Sequence, residues 1–103
     1  MMTVALVVGA GEVGTRAARQ LVDTAGFASI HLADRDTARS RDIADAMGPA
    51  VRPVDFEPGD AIPSDVSVVV CAVPGGVSHE VVAAAIAAGV PRPPAAPMRI
   101  GRV

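Results

Sequence analysis

Two hydrophobic periods alternate along this chain, and each change of period marks a new element. Residues 3–8 form an almost unbroken aliphatic run closed by Gly9, the pattern of a strand buried on both faces. A helical period follows, with Val13, Ala17, Ala18, Leu21 and Val22 on one side and Arg16, Arg19, Gln20 and Asp23 on the other. This predicts an amphipathic helix whose inward stripe is made of small residues. Gly26 is its expected stop. Residues 28–33 then predict a second strand ending at Asp34. Asp36 is placed to cap a second helix with Ala38, Ile43, Ala44 and Met47 inward, ended by Gly48-Pro49.

Residues 51–54 predict a short third strand, and Pro53 within it lacks the N–H a ladder needs, which points to a sheet edge. Pro58, Gly59 and Pro63 break residues 55–65 too often for more than a turn of helix near 60–62. Residues 66–73 carry the strongest strand pattern. From Val77 a helical period returns, with Val77, Val81, Val82, Ala85 and Ile86 on one face and Gly89 as the stop. Strand and helix in this alternation predict an α/β fold: a Rossmann-like doubly wound parallel sheet, about four strands in the order 3-2-1-4, with helices on both faces. Residues 1–90 make up the domain. Prolines at 91, 93, 94 and 97 make residues 91–103 a tail without a core role.

Composition narrows the picture. Half of the 103 residues are apolar and only 2% are aromatic, so the core must be built from Val, Ala, Ile and Leu, as suits parallel strands covered by Ala-rich helices. The net charge is −2, and the nine basic residues, all Arg, form no basic run. Nucleic acid is therefore not an expected partner. The single cysteine, Cys71, cannot form an internal disulfide, and the Met-Met start lacks a signal-peptide pattern, so the expected compartment is the cytoplasm. Ser64, Asp65, Pro74, His79 and Glu80 interrupt the longest apolar stretch, which excludes a membrane span by length.

The candidate chemistry lies in Gly9-Ala10-Gly11-Glu12-Val13-Gly14, between the first strand and the first helix, with Asp34 at the end of the next strand. That setting is the dinucleotide-binding fingerprint. Gly9 allows the tight turn, Gly11 the approach of a diphosphate to bare backbone, and Gly14 the close packing of helix on sheet. Free amides from Gly11 to Val13 would face the phosphates at the positive end of the helix dipole. Glu12 must then point to solvent. Asp34 is placed to accept hydrogen bonds from both adenosine ribose hydroxyls, which favours NAD, while Arg35 leaves NADP open through pairing with a 2′-phosphate.

With Leu32-Ala33-Asp34-Arg35-Asp36, Val54-Asp55, Cys71-Ala72-Val73-Pro74 and the helix end at 82–90, the fingerprint resembles the N-terminal NAD(P)-binding domain of saccharopine dehydrogenase-like proteins. The resemblance covers residues 1–90. It implies that Asp55 sits beside the adenine and that Ala72, Val73 and Pro74 line the ribose and nicotinamide side. It also implies a further strand and a large substrate domain, in place of which this chain has Pro91-Arg92-Pro93-Pro94. The expectation is thus a truncated or split oxidoreductase domain, catalytically incomplete alone, whose amino-acid or keto-acid substrate would need the missing domain. The same fingerprint also fits regulatory NAD-sensing modules of potassium-uptake systems, and a remnant that binds nothing is the third alternative. In the order 3-2-1-4, residues 66–73 form an uncovered edge, so self-association through it is expected. His79 and Glu80, adjacent on a helix, do not face each other. His31 is expected to be packing or surface, Cys71 a small core residue, and no metal-ligand spacing is present.

Overall fold

The computed structural model describes residues 3–24, 27–73 and 75–91, the side chains of 75–78 excepted. Its elements run β1 (Val4–Val8), α1 (Glu12–Val22), β2 (Ser29–Ala33), α2 (Thr37–Met47), β3 (Val51–Pro53), β4 (Val66–Cys71) and α3 (Gly75–Ala88). The four strands form one parallel sheet in the order β3-β2-β1-β4. This is the Rossmann-like topology the alternation of elements predicts. Central β1 is buried at every residue, as a strand covered on both faces must be. Gly26 and Pro74 lie outside the described residues, as does the tail from residue 92.

The two faces of the sheet are covered differently. Ala18 of α1 and Ala44 of α2 pack with Val7, Ile30, Leu32 and Val51 on one face. On the other, Val81 of α3 joins Val4, Leu6, Val8 and Val66, together with Phe56 and Ile62. Those last two residues belong to the crossover from β3 to β4. No helical turn forms at 60–62; the segment turns earlier, with the Asp60 amide bonded to the Glu57 carbonyl and the Glu57 amide to the Asp60 carboxylate. Phe56 and Ile62, 8% and 7% exposed, thus plug the face in place of a crossover helix. Over the start of β2 and β3 that face is polar: Ser29 and His31 alternate with Ile30 and Leu32, which join the core on the opposite face, and His31 pairs in register with Arg52.

The edge assignment of β3 holds. Pro53 aligns with Leu32 without donating, and the ladder closes one residue later through the Val54 amide to the Leu32 carbonyl. Along β1 and β4, Val4 aligns with Val66 and Ala5 with Val68, so Ser67 forms a bulge and is buried.

Helix phases differ from the sequence expectation in three places. In α1 the contact line runs through Gly14 and Ala18, with Ala17 and Leu21 half-buried. Val13, about 100° around the helix from Gly14, is 70% exposed and Val22 is at the exposed margin. The small residues set the phase because they let the helix lie closest to the sheet. In α2, Ser40 and Ala44 face inward while Ala38 is exposed; the Ser40 hydroxyl is satisfied by the Thr37 carbonyl. In α3, Val81, Ala84, Ala85 and Ala88 face the sheet, leaving Val82 and Ile86 exposed. Apolar residues surround that helix, so its periodicity could not fix a phase; the Val77 side chain lies outside the described ones.

Candidate functional site

The glycine turn leaves β1 at its carboxyl end and enters α1 without a side-chain cap. At Gly9 the backbone has φ 107°, and an added Cβ would lie 2.6 Å from the Ala72 carbonyl oxygen and 3.0 Å from Val73 Cγ1. At Gly14 an added Cβ would overlap the Gly9 carbonyl. Both glycines are therefore demanded by the protein's own packing. Gly11 is not: it has φ −75°, which any residue adopts, and a Cβ there would meet nothing within 4 Å. The open space over Gly11 is where the fingerprint places a diphosphate, next to the first amides of α1, which have no acceptor within the helix. The residues present thus fit a dinucleotide.

Asp34 ends β2 and holds this turn in place. Its Oδ2 accepts from the Ala10 amide at 2.6 Å and its Oδ1 from the Asp36 amide at 2.9 Å. The Arg39 guanidinium reaches Oδ2 at 3.4 Å. The Gly9 amide bonds the Ala33 carbonyl at 2.7 Å, so the end of β2 grips two successive residues of the turn. Burial alone would raise the Asp34 pKa, but the Asp36 and Ala10 amides and the Arg39 charge outweigh it and hold the carboxyl below its ordinary value. The carboxylate expected to receive the ribose is also the clasp that shapes the phosphate turn.

An open cleft of about 520 Å³ lies beside the turn, lined by Ala10, Gly11, Glu12, Thr15, Arg16, Arg19 and Arg39. Glu12 points to solvent and pairs with Arg16 at 3.3 Å, one helical turn on. Arginines that look scattered along the sequence are thereby gathered by the folding of α1 against the start of α2. Arg39 and Arg16 escaped the sequence reading as site residues, because only the folded chain brings them to one cleft. Arg35 is exposed and lines no described cleft. Ala72 and Val73 abut the turn, with the Ala72 amide bonded to the Val8 carbonyl; Pro74 lies outside the described residues. Asp55 is set apart, lining a smaller cleft with Thr37, Ser40, Arg41, Pro53 and Val54. His79 and Glu80 are exposed on α3. His31, half-buried on the polar face, has its pKa lowered by burial and by Arg52, against an opposing pull from Asp65.

Residues 4–92 match the family described as "Oxidoreductase family, NAD-binding Rossmann fold" (GFO_IDH_MocA). Among solved structures, the quinate dehydrogenase from Corynebacterium glutamicum in complex with NAD is similar, with 33% sequence identity and a TM-score of 0.59. That similarity covers 72% of this chain and 28% of the dehydrogenase chain. No curated protein matches.

Proposed function

Since this chain belongs to the oxidoreductase family with the NAD-binding Rossmann fold, we propose that it is the coenzyme-holding part of a dehydrogenase, with the coenzyme's diphosphate resting over Gly11. NAD, when bound, supplies the hydride acceptor. The chain's own residues bind and orient it: the α1 amides take the diphosphate, Asp34 takes the adenosine ribose, and Ala72 and Val73 border the far side of the crevice. Groups that would hold a substrate against the nicotinamide are not found among the described residues, so turnover needs residues supplied from elsewhere. Within the family we favour the saccharopine dehydrogenase-like subtype, on the Asp34-Arg35-Asp36 and Cys71-Ala72-Val73 segments. Turnover of amino or keto acids, rather than of quinate-like hydroxy acids, by the chain joined to a substrate domain would support that choice.

The observation that carries the coenzyme reading is the contrast among the three glycines. Only Gly11 lacks an internal reason to be glycine. The test is three alanine variants, measured by urea unfolding and by NAD titration calorimetry. Gly11→Ala should leave stability within about 0.5 kcal/mol yet weaken NAD at least tenfold, about 1.4 kcal/mol. Gly9→Ala and Gly14→Ala should each lose about 1–3 kcal/mol of stability, from strain and overlap. Undiminished NAD affinity in Gly11→Ala would remove the diphosphate from this position.

A further inference from the structure

Both backbone groups of Ala10, inside the glycine turn, are held by side chains. Its amide donates to Asp34 Oδ2 at 2.6 Å. Its carbonyl accepts from the hydroxyl of Thr15, half-buried on α1, at 3.2 Å and makes no other hydrogen bond among the described residues. Ala10 is 1% exposed, so without that hydroxyl the carbonyl would be left buried and unpaired. The direction of one peptide plane follows. In a trans peptide the C=O of one residue and the N–H of the next point opposite ways, and the Ala10–Gly11 bond is trans. With the Ala10 carbonyl turned to Thr15, the Gly11 N–H is turned away from it. That N–H donates to no group among the described residues, and Gly11 borders the cleft beside the turn. This plane is also easy to reverse. Turning it over takes the Gly11 φ from −75° to about +105°, a region that glycine enters without steric cost. The residue that leaves room for a diphosphate is thus the one at which the turn can invert and present a carbonyl oxygen to it.

We propose that Thr15 is a positioning residue for the coenzyme: its hydroxyl holds the Ala10–Gly11 peptide with the carbonyl inward, so that the Gly11 N–H faces the diphosphate before NAD arrives. This deepens the coenzyme reading above and rests on it. Asp34 fixes the amide side of Ala10, and Thr15 fixes its carbonyl side. The hydroxyl touches no part of the coenzyme in this role. It acts through the orientation of a main-chain donor, and it guards the turn at the glycine where inversion is cheapest.

Valine matches threonine in shape but lacks the donor, and serine keeps it. The test is calorimetric titration of the whole chain, of Thr15→Val and of Thr15→Ser with NAD, ADP and adenosine. Thr15→Val should bind NAD and ADP about tenfold more weakly, while adenosine, which has no phosphate, should bind within about twofold of the parent. Thr15→Ser should bring NAD and ADP back to within about threefold of the parent. A hydroxyl that only stabilised the helix would leave the ratio of ADP to adenosine affinity unchanged. Should circular dichroism show that Thr15→Val does not fold, the parent chain decides by NMR. Inorganic pyrophosphate should shift the backbone amide resonance of Gly11 and move that of Ala10, which is bonded to Asp34, much less. An unchanged ADP-to-adenosine ratio in Thr15→Val, no rescue by Thr15→Ser, or a Gly11 resonance that pyrophosphate leaves in place overturns the role of Thr15 while leaving the coenzyme reading intact. Failure of the parent chain to bind NAD and ADP overturns the coenzyme reading itself, and the role of Thr15 with it.

Discussion

Asp34 concentrates two tasks in one side chain, and its ionisation couples them. The folded carboxyl titrates below its ordinary value, so it binds fewer protons than in the unfolded chain. The resulting stabilisation is full above the unfolded pKa of about 3.9 and is lost as pH falls through the folded value. Asp34→Asn should therefore flatten the acid side of the stability–pH curve, because the variant has no proton to take up. It should also weaken NAD at neutral pH, since an amide presents one acceptor where Ala10, Asp36 and Arg39 now share two. Urea unfolding between pH 3 and 7 (about the range that brackets the carboxyl) checks the first effect; an unaltered acid limb would mean that Asp34 does not clasp the turn. The acid's position was legible from its distance to the glycines. Its bond to the Ala10 amide was not, because a contact spanning 24 residues leaves no local pattern. The same holds for Arg39, which reads as an ordinary surface residue of α2 until Asp36 caps that helix and turns its first coil toward the turn.

At the scale of elements, legibility followed contrast between faces. α1 has charged residues on one side, and its existence and direction were plain. Its phase was not, because a hydrophobicity pattern weighs Val13 and Val22 above Gly14, whereas close approach to the sheet selects the smallest side chains. α3 has little contrast at all, and its inward line at Val81, Ala84, Ala85 and Ala88 is decided by β4 and β1 beneath it. The crossover at 55–65 was legible as irregular but not as part of the core. Phe56 is one of two aromatic residues in the chain, and it fills the face that a crossover helix would cover. Phe56→Ala should cost about 3 kcal/mol, since the broken segment around Pro58 and Pro63 collapses poorly onto the vacated space. A loss below about 1 kcal/mol in urea unfolding would show that the loop, not the ring, seals the sheet. Nucleotide binding should survive in the folded fraction, because Phe56 lies on the face opposite α1 and α2.

The whole molecule ends in two unlike edges. At β3 the exposed margin is short, and Arg52 and Pro53 occupy it, a charge and a missing donor that both oppose further pairing. At β4 the margin runs for six residues, Val-Ser-Val-Val-Val-Cys, with no charge and no proline. Residues 68–73 are half-exposed, and the exposed Val82 and Ile86 of α3 add apolar surface on the helix that packs over this strand. No described strand pairs with the outer side of β4, so the outward backbone groups beyond Val66 are a template for another strand. We expect the chain, taken alone, to self-associate there, and sheet-to-sheet pairing of two β4 strands is the simplest way to satisfy those groups. Val68→Lys tests this without touching the interior, because Val68 belongs to neither core cluster. The substitution should weaken association at least tenfold, about 1.4 kcal/mol, while leaving NAD affinity in place, since β4 contributes to the crevice only through Ala72 and Val73 beyond its end. Light scattering across a concentration series reads the outcome: a chain that stays monomeric throughout, or a lysine variant that associates as strongly as the parent, would mean that β4 is not the adhesive edge.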